Sequence, residues 1–183
     1  MPITAIDKKT ALILIDLQKG IVALPTVHPS ADIVKQAAKL AKAFRAKELP
    51  VVAVNVAGAA PGRAEQPRRA QYSPDWAELV PEIDLQPSDH RVTKHCWGAF
   101  TEPGLAELLK SLGVTQVVIA GIATSIGVES TARSAYELGF NVTLATDAMT
   151  DINTDTHHNS VTRIFPRLGE TGTTDEIIAI LDK

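Results

Sequence analysis

Two charged residues and one glycine stand at, or just past, the ends of expected strands. Asp16 follows the run 11–15, Lys94 closes Arg91-Val92-Thr93-Lys94, and Gly127 comes shortly after the run 117–120. A carboxylate beside an ammonium in a partly dry crevice forms a coupled pair, because each group changes the other's hold on its proton. Such a pair can do acid–base work, or it can simply tie two strand ends together. The stretch Val117-Val118-Ile119-Ala120-Gly121-Ile122-Ala123-Thr124-Ser125-Ile126-Gly127-Val128-Glu129-Ser130 reads as strand, tight turn and helix start. Unpaired backbone N–H groups at such a turn point at whatever lies above the strand end.

The elements that position these residues follow from periodicity. Continuous apolar runs at 11–17, 51–56 and 114–120 have strand length and suit strands covered on both faces. Shorter strands are expected at 91–94, at 141–145 ending near Asp147, and at an edge near 169–172. Helices are expected over 30–47, 102–112, 124–138, 155–168 and 174–181. In the first of these, Ser30 is placed to cap, and Ile33, Ala37, Leu40, Ala41 and Phe44 recur at helical spacing. Gly113 and Gly139 suit helix C-termini, and Pro166 should disturb the helix that contains it. Residues 75–79 read as a short helical turn carrying Trp76, and 57–69 as a long polar excursion. Strands alternating with helices imply right-handed βαβ units, hence a doubly wound α/β fold with a parallel sheet in one domain over 1–183.

Composition narrows the function. The 183 residues are 45% hydrophobic and 21% charged with net charge −3, which gives nucleic acid or an anionic membrane no basic surface to find. The N-terminal stretch lacks the apolar core of a signal peptide, and no run is long enough to span a bilayer. A cytoplasmic protein with a small-molecule substrate is expected. A single cysteine, Cys96, allows no internal disulfide and no cysteine-built metal site.

Three blocks carry a resemblance: Ile15-Asp16-Leu17-Gln18, Lys94-His95-Cys96-Trp97-Gly98-Ala99-Phe100, and Gly121-Ile122-Ala123-Thr124-Ser125-Ile126-Gly127-Val128-Glu129-Ser130-Thr131-Ala132-Arg133. In order and spacing they resemble the signature blocks of the isochorismatase-like hydrolases. The resemblance implies a three-layer αβα domain with a six-stranded, mostly parallel sheet, and commonly a homo-oligomer. It implies an Asp–Lys–Cys triad in the cysteine hydrolases of that family, with a cis peptide that falls here at Ile122–Ala123. The family cysteine falls at Gly127, from which no side chain can attack. True isochorismatases, which often carry glycine here, cleave a vinyl ether: an aspartic acid protonates carbon, an oxocarbenium forms, and water adds. On that pattern Asp16 is the general acid and must hold a proton. Lys94 orients it or meets an acidic group of the substrate, and the N–H groups of Ala123 and Gly127 serve as donors. Isochorismatases have a Gly-Val-Tyr-Ala-His type of block where this chain has Gly121-Ile122-Ala123-Thr124-Ser125, so the substrate stays open.

Around this catalytic set of Asp16, Lys94 and Gly127, substrate contacts are expected from Gln18, Trp97, Phe100, Ile122, Ala123 and Thr124, with His28 and His95 near the rim. The zinc-dependent nicotinamidase branch places an Asp-x-His pair and a further His after the second strand. Residues 56–72 hold no Asp or His, so neither metal nor other cofactor is expected. Three alternatives remain. Cys96, on the face of Lys94 in an extended chain, could be a displaced nucleophile. Ser125 could form a serine triad with Asp147 and His157 at a nucleophile-elbow turn. The chain could also be a non-catalytic relative that binds a small ligand or acts through its oligomer, the face Ile126, Ser130, Arg133, Ser134 and Glu137 supplying a subunit contact.

Overall fold

Leu12, Leu14, Val118 and Ala120 belong to one core, and Ala11, Ile13, Ile15, Val117 and Ile119 to the other. Alternate residues of the same strands thus feed opposite faces, as period-2 geometry requires. Both faces are therefore covered, which explains why these strands read as unbroken apolar runs. A computed structural model describes residues 3–65 and 72–183. The strands are β1 (Thr10–Ile15), β2 (Val51–Val56), β3 (His90–Lys94), β4 (Gln116–Ile122), β5 (Asn141–Thr150) and β6 (Glu170–Gly172). They pair in the order β3-β2-β1-β4-β5-β6, and every pairing is parallel. This is the six-stranded doubly wound α/β sheet. Its order reverses between β1 and β4, so a crevice opens above their C-terminal ends.

The helices are α1 (Lys19–Val22), α2 (Ser30–Ala46), α3 (Pro103–Ser111), α4 (Glu129–Glu137), α5 (Thr154–Asn159), α6 (Phe165–Leu168) and α7 (Thr174–Leu181). Helix α2 packs Ile33, Ala37, Leu40 and Phe44 into the first core beside Ile177 of α7. Leu105 and Leu109 of α3, Ala132 and Ala135 of α4 and Phe165 of α6 fill the second. None of the described helices is long and apolar enough to cross a membrane.

Several boundaries differ from expectation, each for a local reason. Ser30 opens α2 without capping it; its hydroxyl donates to the Val22 carbonyl at 2.7 Å. Residues 75–79 form turns rather than a helix, with Trp76 N bonded to Ser73 O and Glu78 N to Asp75 O. β5 runs on to Thr150 instead of stopping at Ala145, because its pairing with β4 slips between Ile119 and Gly121. Asp147, in the slipped stretch, turns its carboxylate to the start of α7 and accepts from Thr174 N and Oγ1. The 155–168 helix is broken into α5, a π-type turn at Ser160–Ile164, and α6. Pro166 has no N–H to give the Thr162 carbonyl and crowds it, which widens the turn. Of the polar excursion 57–69, residues 66–69 lie outside the described residues.

Candidate active site

Asp16 sits immediately after β1 in the left-handed region, φ 52°. Aspartate tolerates this conformation better than most residues. Its own N–H stays in the sheet, donating to Val54 O at 2.9 Å. Gly121, in β4 and in register with Ile15, has φ 128°, and a Cβ there would lie 2.1 Å from the Ile15 carbonyl oxygen. Only glycine lets β4 come this close to the turn that carries Asp16.

Lys94 ends β3, two strands from β1. At ~4.8 Å per strand the gap is roughly 10 Å, which the lysine stem and the Asp16 side chain cross together. Its Nζ donates to Asp16 Oδ2 at 2.7 Å and to the Cys96 carbonyl at 3.0 Å. Both side chains are buried, at 7% and 2% exposure. Asp16 Oδ1 is buried and has no hydrogen-bond partner among the described residues. Burial raises the Asp16 carboxyl further than Lys94 lowers it, and its pKa is pushed up to about 6. A buried carboxyl with one free oxygen and a raised pKa can hold a proton and release it to a neighbour.

The floor is the turn after β4. The Ile122–Ala123 peptide is cis, as the resemblance implied. Residues Thr124–Val128 form a π-type turn before α4 rather than regular helix. Ser125 N donates to Asp151 Oδ2 at 2.6 Å, and the Ala123 carbonyl accepts from Ile126 N and Val128 N. Gly127 is tightly enclosed. A Cβ there would lie 2.8 Å from Ile15 Cγ2 and 3.1 Å from Asp16 Oδ2. The missing side chain has left no void: Ile15 and the carboxylate stand against the glycine.

Asp16, Lys94, Cys96, Trp97, Ile122, Ala123 and Gly127 together line one cavity of about 210 Å³. Three of the six expected substrate contacts lie away from it. Ile122, Ala123 and Trp97 line the cavity, whereas Gln18, Phe100 and Thr124 do not. Gln18 is a clamp: Nε2 donates to Val56 O and Trp76 O at 3.0 and 3.1 Å, and Oε1 accepts from Val56 N at 2.8 Å. Phe100 stacks on Phe140, centroids 5.9 Å apart, at the second core. Thr124 is buried with its hydroxyl 2.9 Å from His157 Nδ1.

His28 pairs with Thr150 through Nδ1, and His95 with Glu102, so neither lines the cavity. A serine triad is not assembled, because His157 faces Thr124 and Asp147 caps α7. Cys96 does not share a strand face with Lys94, since β3 ends at Lys94; its carbonyl, not its thiol, meets the ammonium, and Sγ lies 3.3 Å from Gly98 O. On the face read as a subunit contact, Ile126 lines the cavity and Arg133 pairs with Glu129 of its own helix. The sequence reading missed Tyr72, Trp76, Ile21, Leu24 and Ile152, which also line the cavity. All five come from irregular segments or a one-turn helix, where periodicity says nothing about direction. Among the described residues no three His, Cys, Asp or Glu side chains converge as a metal site.

A family model for the isochorismatase domain matches residues 10–176. The chain is 41% identical over 179 residues, 93% of each protein, to the isochorismatase family protein YwoC of Bacillus subtilis (strain 168). It is 34% identical over 140 residues to the streptothricin hydrolase of Streptomyces noursei, covering 75% of this chain and 48% of that protein. An isochorismatase family protein of Burkholderia thailandensis has the same fold with TM-score 0.94 at 42% identity, covering 98% of both chains. A family model over most of its length and a relative 41% identical across 93% of both proteins place it: the chain belongs to the isochorismatase family.

Proposed function

We propose that the protein is a hydrolase of small molecules in which Asp16 is the general acid, Lys94 holds it in place, and no thiol attacks. One observation carries this reading: Asp16 is buried, has one unpartnered oxygen, and has its pKa raised to about 6 where it faces Gly127. Vinyl ether hydrolysis suits that equipment. The acid delivers its proton to the vinyl carbon, the oxocarbenium takes up water, and the hemiketal collapses to a carbonyl compound and an alcohol. The Asp16 carboxylate left behind is stabilised by Lys94 at 2.7 Å. Backbone N–H groups of Ala123 and Gly127, on the turn that floors the cavity, are assigned as donors to the hemiketal oxygen as it gives up its proton and the carbon–oxygen bond to the alcohol breaks. The streptothricin hydrolase among the relatives supports hydrolysis as the reaction class.

The test is turnover of a panel of vinyl ethers, amides and esters. Asp16→Asn should lower kcat/KM by roughly 10²–10⁴ on any substrate found, the range for loss of a positioned acid. Because the proton must be present, kcat/KM of the native chain should fall as pH rises through about 6. Cys96→Ala, which keeps the carbonyl that holds Lys94, should stay within about threefold of native. Loss of all turnover in Cys96→Ala would replace this mechanism with a thiol one. A panel with no Asp16-dependent turnover would favour a non-catalytic ligand-binding relative.

A further inference from the structure

Five large hydrophobic side chains stand exposed among the described residues: Tyr72, Trp97, Tyr136, Leu138 and Ile152. Three of them, Tyr72 at 42%, Trp97 at 66% and Ile152 at 51%, line the Asp16 cavity. Trp76 lines it too, its ring 4.1 Å from that of Tyr72. A chain with only two tryptophans places both at this one site. Exposed apolar surface gathered at the mouth of a cavity, rather than scattered, marks surface that a ligand covers.

Charge points the same way. Lys94 is the only cation among the described lining residues, and two of its N–H groups are already given to Asp16 Oδ2 and the Cys96 carbonyl. Among the described residues, a carboxylate brought into this cavity would be desolvated with no free cation to meet it and a second carboxylate beside it. The volume, about 210 Å³, is below the roughly 300–1,000 Å³ of pockets that hold drug-sized molecules.

We propose that the molecule taken at Asp16 is small and uncharged, with a planar apolar group covered by Trp97 and Tyr72 and a hydrogen-bonding group at the Asp16 end of the cavity. The proposal rests on the Asp16 cavity being the reacting site. It separates this chain from enzymes whose substrate is a di-acid.

Because both tryptophans line the cavity, their fluorescence reports occupancy directly. Benzyl alcohol, benzoate and cyclohexylmethanol would be titrated into the native chain at about pH 8. Benzyl alcohol should give a saturable change; benzoate should bind at least tenfold more weakly, and cyclohexylmethanol at least threefold. Trp97→Ala should weaken benzyl alcohol at least fivefold, and Trp97→Phe should restore most of it; the exposed position makes both variants tolerable to the fold. Equal or tighter binding of benzoate, equal binding of cyclohexylmethanol, an unaffected Trp97→Ala, or no binding by any probe would overturn the proposal. So would a signal that follows protein concentration, which would put a second copy over the rim. Binding is read without turnover, so an Asp16→Asn chain that keeps full activity would refute the acid mechanism while leaving this proposal standing.

Discussion

At position 127 the absence of a side chain governs the neighbouring carboxylate. Any Cβ there meets Ile15 Cγ2 at 2.8 Å and Asp16 Oδ2 at 3.1 Å, and that oxygen is the one Lys94 holds. Gly127→Cys should therefore not restore a thiol hydrolase. Overpacking costs about 1–3 kcal/mol, and the helix propensity gained over glycine offsets up to about 1 kcal/mol of that. A net loss of about 1–2 kcal/mol in urea unfolding is expected, with lower turnover because Asp16 is displaced. An unchanged stability together with new iodoacetamide-sensitive amidase activity would show that the site yields more readily than its contacts suggest. Asp16 and Lys94 were legible in the sequence as the ends of expected strands and Gly127 as lying just past one, and strand ends share a rim in this architecture. The crowding at Gly127 was not legible. It depends on where the Ile15 side chain lies, and that follows from the register of β1 against β4.

At the scale of elements, the cavity wall that carries Trp76 is tied down by main-chain bonds and one side chain. Lys19 N, Gly20 N and Val80 N bond to Glu78 O, Trp76 O and Leu17 O at 2.8, 3.0 and 3.0 Å. Gln18 adds three bonds from a fully buried amide. Gln18→Leu takes the side-chain partners from the Val56 N–H and carbonyl and leaves the Trp76 carbonyl with the Gly20 N–H alone, and should destabilise the chain by about 2–3 kcal/mol. The main-chain bonds remain, so the fold should survive. Hydrogen exchange should speed at Val56 and at 73–79 before it speeds in β1 or β4. Uniform acceleration across the sheet would mean that the clamp stabilises the whole domain instead of this wall. A glutamine after a strand reads equally well as a ligand contact, and its role as a clamp appears only once the 73–79 loop is seen against it. The continuous strands and the helices with clear apolar spacing were legible, since their periods mirror the faces they bury. The slip in β5 was not, because Thr146-Asp147 reads as a strand end when the residue that claims Asp147 is Thr174, far along the chain. The cis turn could be placed only through the family resemblance, since its residue types alone do not demand it.

The whole molecule registers the Asp16 site through its pH dependence. The sheet order reverses between β1 and β4, so this carboxyl lies between two dry cores, where burial holds its pKa at about 6 against 3.8 when exposed. From about pH 4 to about pH 6 the folded chain thus keeps a proton that the unfolded chain has released. The contribution is fully present below the unfolded value and is lost as pH rises through the folded one. Two pKa units correspond to roughly 3 kcal/mol. Other carboxylates act oppositely: Asp75, bonded by Ser73 and Lys19, lies below its ordinary value and gives stability that is lost as pH falls. Raw stability therefore mixes the two, and the comparison must be with Asp16→Asn, in which the other groups are unchanged. At about pH 4 the native carboxyl is itself protonated, so that variant only replaces a neutral acid beside Lys94 with a neutral amide. Its deficit against the native chain, whatever its size at that pH, should shrink by roughly 3 kcal/mol by about pH 7, as the native chain loses the contribution that asparagine cannot lose. Urea unfolding of both chains at the two pH values measures this directly. A deficit that stays constant would mean that Asp16 carries its charge throughout, and the acid role would fail with it.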